Sequence, residues 1–509
     1  MIWCGHRSLP QPARVPTDKV VPVYFFDDFP SVRDIVMRWM VCFDDVLDAE
    51  KLHAALVKLL ERDSWRRLGG RLRVNKHGKL ELHVPQQFDA QRRPAVRFSH
   101  RVSADINLAD HPLAPRIPRP TDGPSLQGGG GGLQQLALGT ADNLPQTLAD
   151  YTSSDEPPIA LQVITFRDAT LVTLNYSHIL MDAVGLSAFI TAWCAVLAGR
   201  DDDVLPLADH DPLEAVGTSS SRSSQVSEPE EEKEEHVLKS KQLPSIGLFF
   251  FIVRFVLDLL FGPAMESRVI FLPNKTVQRL KERAANDLEP DHPFISDGDV
   301  LSAWGAKMTA LGLGPSCTRP LTIFNVFELR GRLPSVFRSP TSVAYVQNAI
   351  FVLSIPFTAK EAQTMPLGQM ALRFRAAVAA QTTEPQVHAM VREQRAAIAK
   401  YGRPPVFAEA SSIILPFTNW QKARFFDILD FGPAVVVDQN DKEKGGTRQN
   451  QSAPGKPVFF YAFDPNPKPN PTLRHTFNIV GKDRQGNHWV SGILSPATWS
   501  TIEDELKNL

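Results

Sequence analysis

Cysteine is scarce in this 509-residue chain: Cys4, Cys42, Cys194 and Cys317 lie far apart, with no CxxC pair. That scarcity argues against a disulfide framework or a cysteine zinc site and fits a reducing interior. Charge of one sign is missing as well. With 55 basic and 56 acidic residues the net charge is −1, which removes the electrostatic case for nucleic acid. No signal pattern opens the chain, because Pro10, Pro12 and Pro16 interrupt it, and a cytoplasmic location is expected. The common catalytic signatures are also missing: no GxSxG elbow, no GxxxxGK[ST] phosphate loop, no HExxH zinc helix. Five glycines at 128–132 lack a preceding strand and a GxGxxG continuation, so 121–135 reads as a flexible insertion rather than a phosphate cradle.

Long apolar runs are few. The prominent one, "SIGLFFFIVRFVLDLLFGPAM" at 245–265, approaches the length of a membrane span. Arg254 and Asp258 sit mid-run, four apart, where they can pair on one helical face, and Gly262-Pro263 ends the run. A buried or surface-docked helix is expected there, and membrane contact is not.

What remains is a globular composition, 43% apolar and 22% charged, over a length that suits two domains. Strand and helix patterns alternate in both halves, so the class is α/β or α+β. Behind a cap at Asp48, Leu52, Ala55, Leu56, Leu59 and Leu60 form a helical stripe. Hairpins are expected at 70–84, turning at Asn75–Gly78, and at 159–176. The stretch 217–242 turns Ser-rich and then acidic, too polar to fold, and reads as a disordered crossover. Beyond it helices are expected near 274–287, 297–312 and, as one long element, 366–400, with strands near 319–328 and 345–355 and a polar insertion at 439–456.

The stretch "LVTLNYSHILMDAVGLSAFITAW" carries the candidate chemistry. His178 ends an alternating strand, Asp182 follows four residues on, and a helix begins near Ala183. HxxxD alone is weak evidence: a strand-end histidine with a capping aspartate accounts for it. The strand would nevertheless hold His178 rigidly, and the small residues Ala183 and Gly185 leave room for a ligand. A near-neutral histidine is a natural general base for a hydroxyl or amine.

"SHILMDAVG" resembles the HxxxD box of the BAHD acyltransferases, and four further stretches match in order. "LDAEKLHAALVKLLERDSWRRLGGRLR" resembles that family's first helix and GRL strand, and "FELRGRLP" its arginine strand. "YVQNAIFVLS" is similar to its YxGN segment, and "PFTNWQKARFFDILDFGPA" to its T-x-W element followed by DFGWG. The resemblance covers about 20–505 and is nearest the fungal secondary-metabolite branch that includes trichothecene 3-O-acetyltransferase-like enzymes. It implies two chloramphenicol-acetyltransferase-like α/β domains, each a mixed β-sheet flanked by helices, with a solvent channel at their interface. Residues 1–216 and 245–509 would be the domains, joined by a crossover at 217–244. It further implies acyl transfer, most simply acetyl transfer, from acyl-CoA to a hydroxyl of a small hydrophobic metabolite, without a covalent intermediate.

By this resemblance His178 is the base. Asp182 holds its loop by pairing with an arginine, Arg330 ahead of Arg332, and Thr418 steadies the oxyanion. Asn348, Trp420, Asp430, Phe431 and Gly432 support the channel and its motifs. No metal or permanent cofactor is implied, and the expected state is a monomer. Pro433 and Ala434 stand where the family has Trp and Gly, Ala183 replaces the glycine after the box aspartate, and Asn419 replaces a serine. Two rivals stay open. One is a condensation-type enzyme using a carrier-bound donor, against which Ser177 stands where such enzymes carry a second histidine. The other is a binding protein that kept the fold.

Overall fold

The computed structural model describes residues 10–129, 131–138, 143–218, 234–291, 293–337, 342–436, 453–466 and 470–509. Cys4, most of the acidic stretch (219–233) and most of the polar insertion (437–452) lie outside them.

Two large sheets carry the architecture. The first runs in the order Phe459–Phe463, Val36–Phe43, Thr170–Ser177, Ile159–Phe166 and Arg97–Ser103. Ile159–Phe166 and Thr170–Ser177 form the expected hairpin, and Arg97–Ser103 joins it in parallel. Every residue of the hairpin's two strands is buried, because both faces of the sheet are covered. Polar residues inside it pair with one another: Arg38 Nε donates to Asn175 Oδ1 at 3.1 Å, and Asn175 Nδ2 donates to the Tyr151 hydroxyl at 3.0 Å. Ala49–Glu61 covers one face, capped as expected by Asp48, whose carboxylate accepts from the Lys51 N–H. Lys19–Pro22, Leu80–Val84 and Arg71–Val74 make a small third sheet, whose hairpin turns at Gly78 with φ +75°.

The second sheet has seven strands, in the order Ile350–Phe357, Leu321–Glu328, Ile413–Asn419, Thr476–Lys482, His488–Leu494, Glu266–Leu272 and Ser125–Gly128. Asn274–Asn286, Asp297–Gly312 and Leu367–Gln381 pack against it around Trp304, Phe374, Phe417 and Phe477.

Several expectations are corrected. The stretch 121–135 is not merely a flexible insertion: Ser125–Gly128 is an edge strand of the second sheet, and a helix follows at Gly131–Leu138. The long helix at 366–400 is two helices, broken at Thr382–Thr383, because Pro385 suits the first turn of a new helix and not the middle of an old one. Of the crossover, 234–244 is docked rather than disordered. His236 is buried against Phe407, and the Val237 N–H donates to Gln386 Oε1 at 2.8 Å. A split at 216/245 does not separate the sheets either. Ser125–Gly128 joins the second sheet, and Phe459–Phe463 joins the first by pairing with Val36–Phe43.

The apolar run forms the helix Ser245–Phe261, and of its residues Leu248 alone is buried. Asp258 pairs not with Arg254 but with Arg319, which donates to both carboxylate oxygens at 2.8 and 2.9 Å. The planar guanidinium fork suits that two-point contact, whereas Arg254 on the same helix points to solvent. Among the described residues no helix is long and apolar enough to cross a membrane.

The two halves meet closely at Gly185. A Cβ there would lie 1.8 Å from the Val346 carbonyl oxygen, so the space this glycine leaves is filled by backbone of the other half rather than by a ligand. Gly185→Ala is therefore expected to cost about 3 kcal/mol or more, since a close-packed main chain cannot move aside. Denaturant unfolding checks this, and an unchanged midpoint would show that the contact gives way.

Candidate functional site

His178 follows the last residue of the central strand Thr170–Ser177, and both of its main-chain groups are tied down. Its N–H donates to the Ile35 carbonyl at 2.9 Å, extending the register in which Val36 faces Ser177. Its carbonyl accepts from Asn348 Nδ2 at 2.9 Å, across the junction from the second half. Asn348 is fully buried, and its side-chain and main-chain nitrogens both donate to Asp27 Oδ1 at 2.8 Å. Asp27 thus sets the asparagine that sets the histidine. Burial holds the Asp27 carboxyl well above its ordinary pKa, against the bonds from Asn348.

The His178 ring is half-buried, with Nδ1 enclosed. Nδ1 makes no full hydrogen bond, although its own carbonyl and the Asn348 side chain are close enough to favour a proton. Burial outweighs them and the Asp182 charge, so the imidazole pKa falls below its ordinary 6.5. The ring is neutral at pH 7 and able to accept a proton.

Asp182 does two jobs. Its Oδ1 caps the helix Ala183–Leu197 by accepting from the Gly185 N–H at 2.7 Å. Its Oδ2 accepts from Arg330 Nη1 at 3.0 Å and from the Ala349 N–H at 2.9 Å. Arg330 also donates to the Gln347 carbonyl at 2.6 Å and lies over the Tyr345 ring. Burial opposes the Arg330 charge, yet the Asp182 carboxylate more than compensates and its pKa rises. Arg332 is not part of this pair; its guanidinium sits over the Phe327 ring.

Thr418 lies near the end of the strand Ile413–Asn419, half-buried and paired with Asn478. The segment after it reaches the His178 helix: Ser187 Oγ donates to the Ala423 carbonyl at 2.8 Å, and Trp420 packs at the edge of the first core. Asp430, Phe431 and Gly432 sit elsewhere. Phe431 is fully buried against Phe43 and Trp193, and Asp430 accepts from the Gly432 N–H at 2.9 Å and pairs with Lys456 at 3.0 Å. Trp193 lies near the far end of the helix that Asp182 caps, about 15 Å along it. These three residues clip a C-terminal segment onto the first half. Pro433 and Ala434 fit that role, the Ala434 carbonyl accepting from the Asp48 N–H at 2.7 Å.

Residue-level reading of the sequence missed Asp27. The signal is "FFDDFP", an acidic pair inside an apolar stretch, of which Asp27 is buried and Asp28 pairs with Arg33 at 3.2 Å. A cavity opens against the same loop, lined by Tyr24, Asp27, Arg67, Ile179, Leu180 and Gln347.

No protein-family model matches the sequence. Named relatives do. Acetyltransferase BOT5 of Botryotinia fuckeliana is 36% identical over 508 residues, covering 96% of this chain and 90% of its own. O-acetyltransferase PaAT-2 of Phomopsis amygdali is 35% identical over 97% of this chain and 99% of its own. Among solved structures, Fusarium sporotrichioides TRI101, crystallised with coenzyme A and T-2, superposes with a TM-score of 0.62 over 96% of this chain and 98% of its own. At 16% identity that likeness shows the fold. The chain belongs to the family of these fungal acetyltransferases. It is an acyltransferase.

Removing one partner of a buried pair leaves an uncompensated charge. Arg330→Ala is expected to destabilise the protein by about 3–5 kcal/mol, and Arg332→Ala by less than about 0.5 kcal/mol. Paired denaturation curves read the difference directly; equal costs would mean that the Asp182 contact is dispensable.

Proposed function

We propose that His178 is the general base for transfer of an acetyl group from acetyl-CoA to a hydroxyl of a neutral, hydrophobic secondary metabolite. The observation that carries this is the pinned, half-buried imidazole whose pKa burial holds below its usual value. In the unprotonated form it takes the hydroxyl proton as the oxygen attacks the thioester carbonyl. The tetrahedral oxyanion is steadied by Thr418. On collapse the proton passes from His178 to the departing coenzyme A sulfur, leaving ester and thiol. Asp182 and Arg330 act by holding the loop, and Asn348 with Asp27 by holding the His178 main chain. The acceptor and donor would meet at His178 in a channel between the two halves. The acceptor class rests on the company of the relatives, an acetyltransferase and an O-acetyltransferase from fungi. The near-neutral composition also offers no field that would select a charged acceptor.

Thiol release from acetyl-CoA tests the reading. His178→Ala should lower kcat by about 10²–10⁴-fold while coenzyme A still binds. Thr418→Ala should lower it by about 10²–10³-fold, the typical cost of one oxyanion donor. Retained turnover in His178→Ala would remove the histidine from the chemistry.

The pH profile gives an independent check. A base with a lowered pKa is deprotonated throughout the neutral range, so kcat/KM should stay flat there. Activity should fall only as pH drops through the lowered pKa, which lies below 6.5. An acid limb centred above pH 6.5 would contradict the burial seen at His178.

A further inference from the structure

The helix Ser245–Phe261 is apolar on nearly every side yet is barely covered. Ile246, Phe250, Val253, Leu257 and Phe261 follow one another at intervals of four, three, four and four residues. At about 100° per residue they form a single stripe along roughly 25 Å of helix. Phe249 and Leu260 widen the stripe. Ile246 is 65% exposed, Phe250 56% and Phe261 82%, values that belong to a contact surface and not to a core. The opposite side, through Leu248, rests on the protein, and the Asp258–Arg319 pair fixes the helix's orientation.

The charges beside the stripe say what covers it. Arg254 lies at the stripe's edge near the helix midpoint, exposed, where a long cationic side chain can reach past an apolar layer to headgroups. Lys241 is exposed four residues before the helix. The adjoining segment is anchored there by the Leu243 N–H donating to the Val406 carbonyl and by the bridge between Gln242 and Phe407. That segment carries Lys400 and Arg403 beside the ring of Tyr401, at 5.0 and 5.5 Å. Among the described residues of this flank, Asp258 is taken up by Arg319 and both Glu235 and Glu393 by Lys239, leaving Glu234 and Glu409 against Lys241, Arg254, Lys400 and Arg403. An aromatic and aliphatic stripe with a cationic rim matches the surface of an anionic bilayer. A second copy laid antiparallel on the same face would bring the two Arg254 side chains together instead. We propose that Ser245–Phe261 is an interfacial helix that seats the enzyme on anionic membrane surfaces, its apolar face in the headgroup layer. That contact was not expected from the sequence, where Arg254 and Asp258 read as a pair that lets the helix be buried.

The full-length protein should be sedimented with vesicles of phosphatidylcholine plus phosphatidylserine, and with phosphatidylcholine alone. The wild type should bind the first more strongly, and high salt should release it. Phe250→Asp and Leu257→Asp should each weaken binding at least about tenfold, each removing a large apolar side chain from the contact. Lys241→Ala with Arg254→Ala should weaken the preference for the anionic vesicles. All of these variants should keep the wild-type thermal melt and thiol release, since none touches the His178 site. A wild type that stays in the supernatant with both vesicle types overturns the proposal, as does undiminished binding by the two Asp variants. Equal binding to phosphatidylcholine alone overturns the anionic preference. A dimer in solution that the Asp variants abolish, without vesicle capture, would make a second copy the occupant and equally overturn it.

Discussion

The Asp182 carboxylate is buried with both oxygens engaged, one by the first turn of its own helix and the other by Arg330 and a main-chain N–H of the opposite half. A buried carboxylate is expensive unless compensated, and here the compensation comes from a residue 148 positions away. The loop between the central strand and the helix can therefore keep its shape only while the two halves are together. His178 inherits that constraint. Its own main chain is held from the first half at Ile35 and from the second at Asn348. The shape of the His178 loop and the docking of the halves are in this sense one equilibrium.

Much of this was legible in the chain. The hairpin that delivers His178, the cap at Asp48 and the helices at 274 and 297 follow from alternation, apolar periodicity and turn chemistry, which are local. The ordered motifs carried the two-layer architecture and the choice of Arg330 over Arg332, although spacing alone left both open. What was not legible depends on non-local partners. Ser125–Gly128 has no strong strand pattern of its own; it is a strand because Glu266–Leu272 offers it an edge. The acidic pair in "FFDDFP" marks Asp27 as unusual but not what it holds, since its partner Asn348 lies 321 residues away. Gly185 read as room for a ligand because a sequence does not show that another main chain already occupies the space.

The altered DFGPA element meets the packing demands of its place in this fold. What its place in the fold demands is a large buried ring, a carboxylate that turns the chain, and main-chain groups that reach Asp48 and Gly455. The Phe431 ring, the Asp430 carboxylate, the Phe431 N–H to Gly455 and the Ala434 carbonyl to Asp48 supply these. The ring and the amide of a Trp-Gly pair are not among the requirements. Asp430 N–H meets Cys194 Sγ at 3.4 Å, so this thiol, pushed up to about 12 by burial, serves packing rather than reactivity.

The exchange of edge strands between the two sheets also bears on how the chain is made. Val36–Phe43 emerges early from the ribosome, yet the strand that covers its outer edge begins at Phe459. Until that strand is made, the edge, with its row of free amide and carbonyl groups, stays open to any extended segment nearby. The first sheet is thus finished by a strand translated long after Val36–Phe43. A ribosome that stalls in the second half leaves behind a nearly complete first sheet with one adhesive side, a substrate for chaperones rather than a small stable domain.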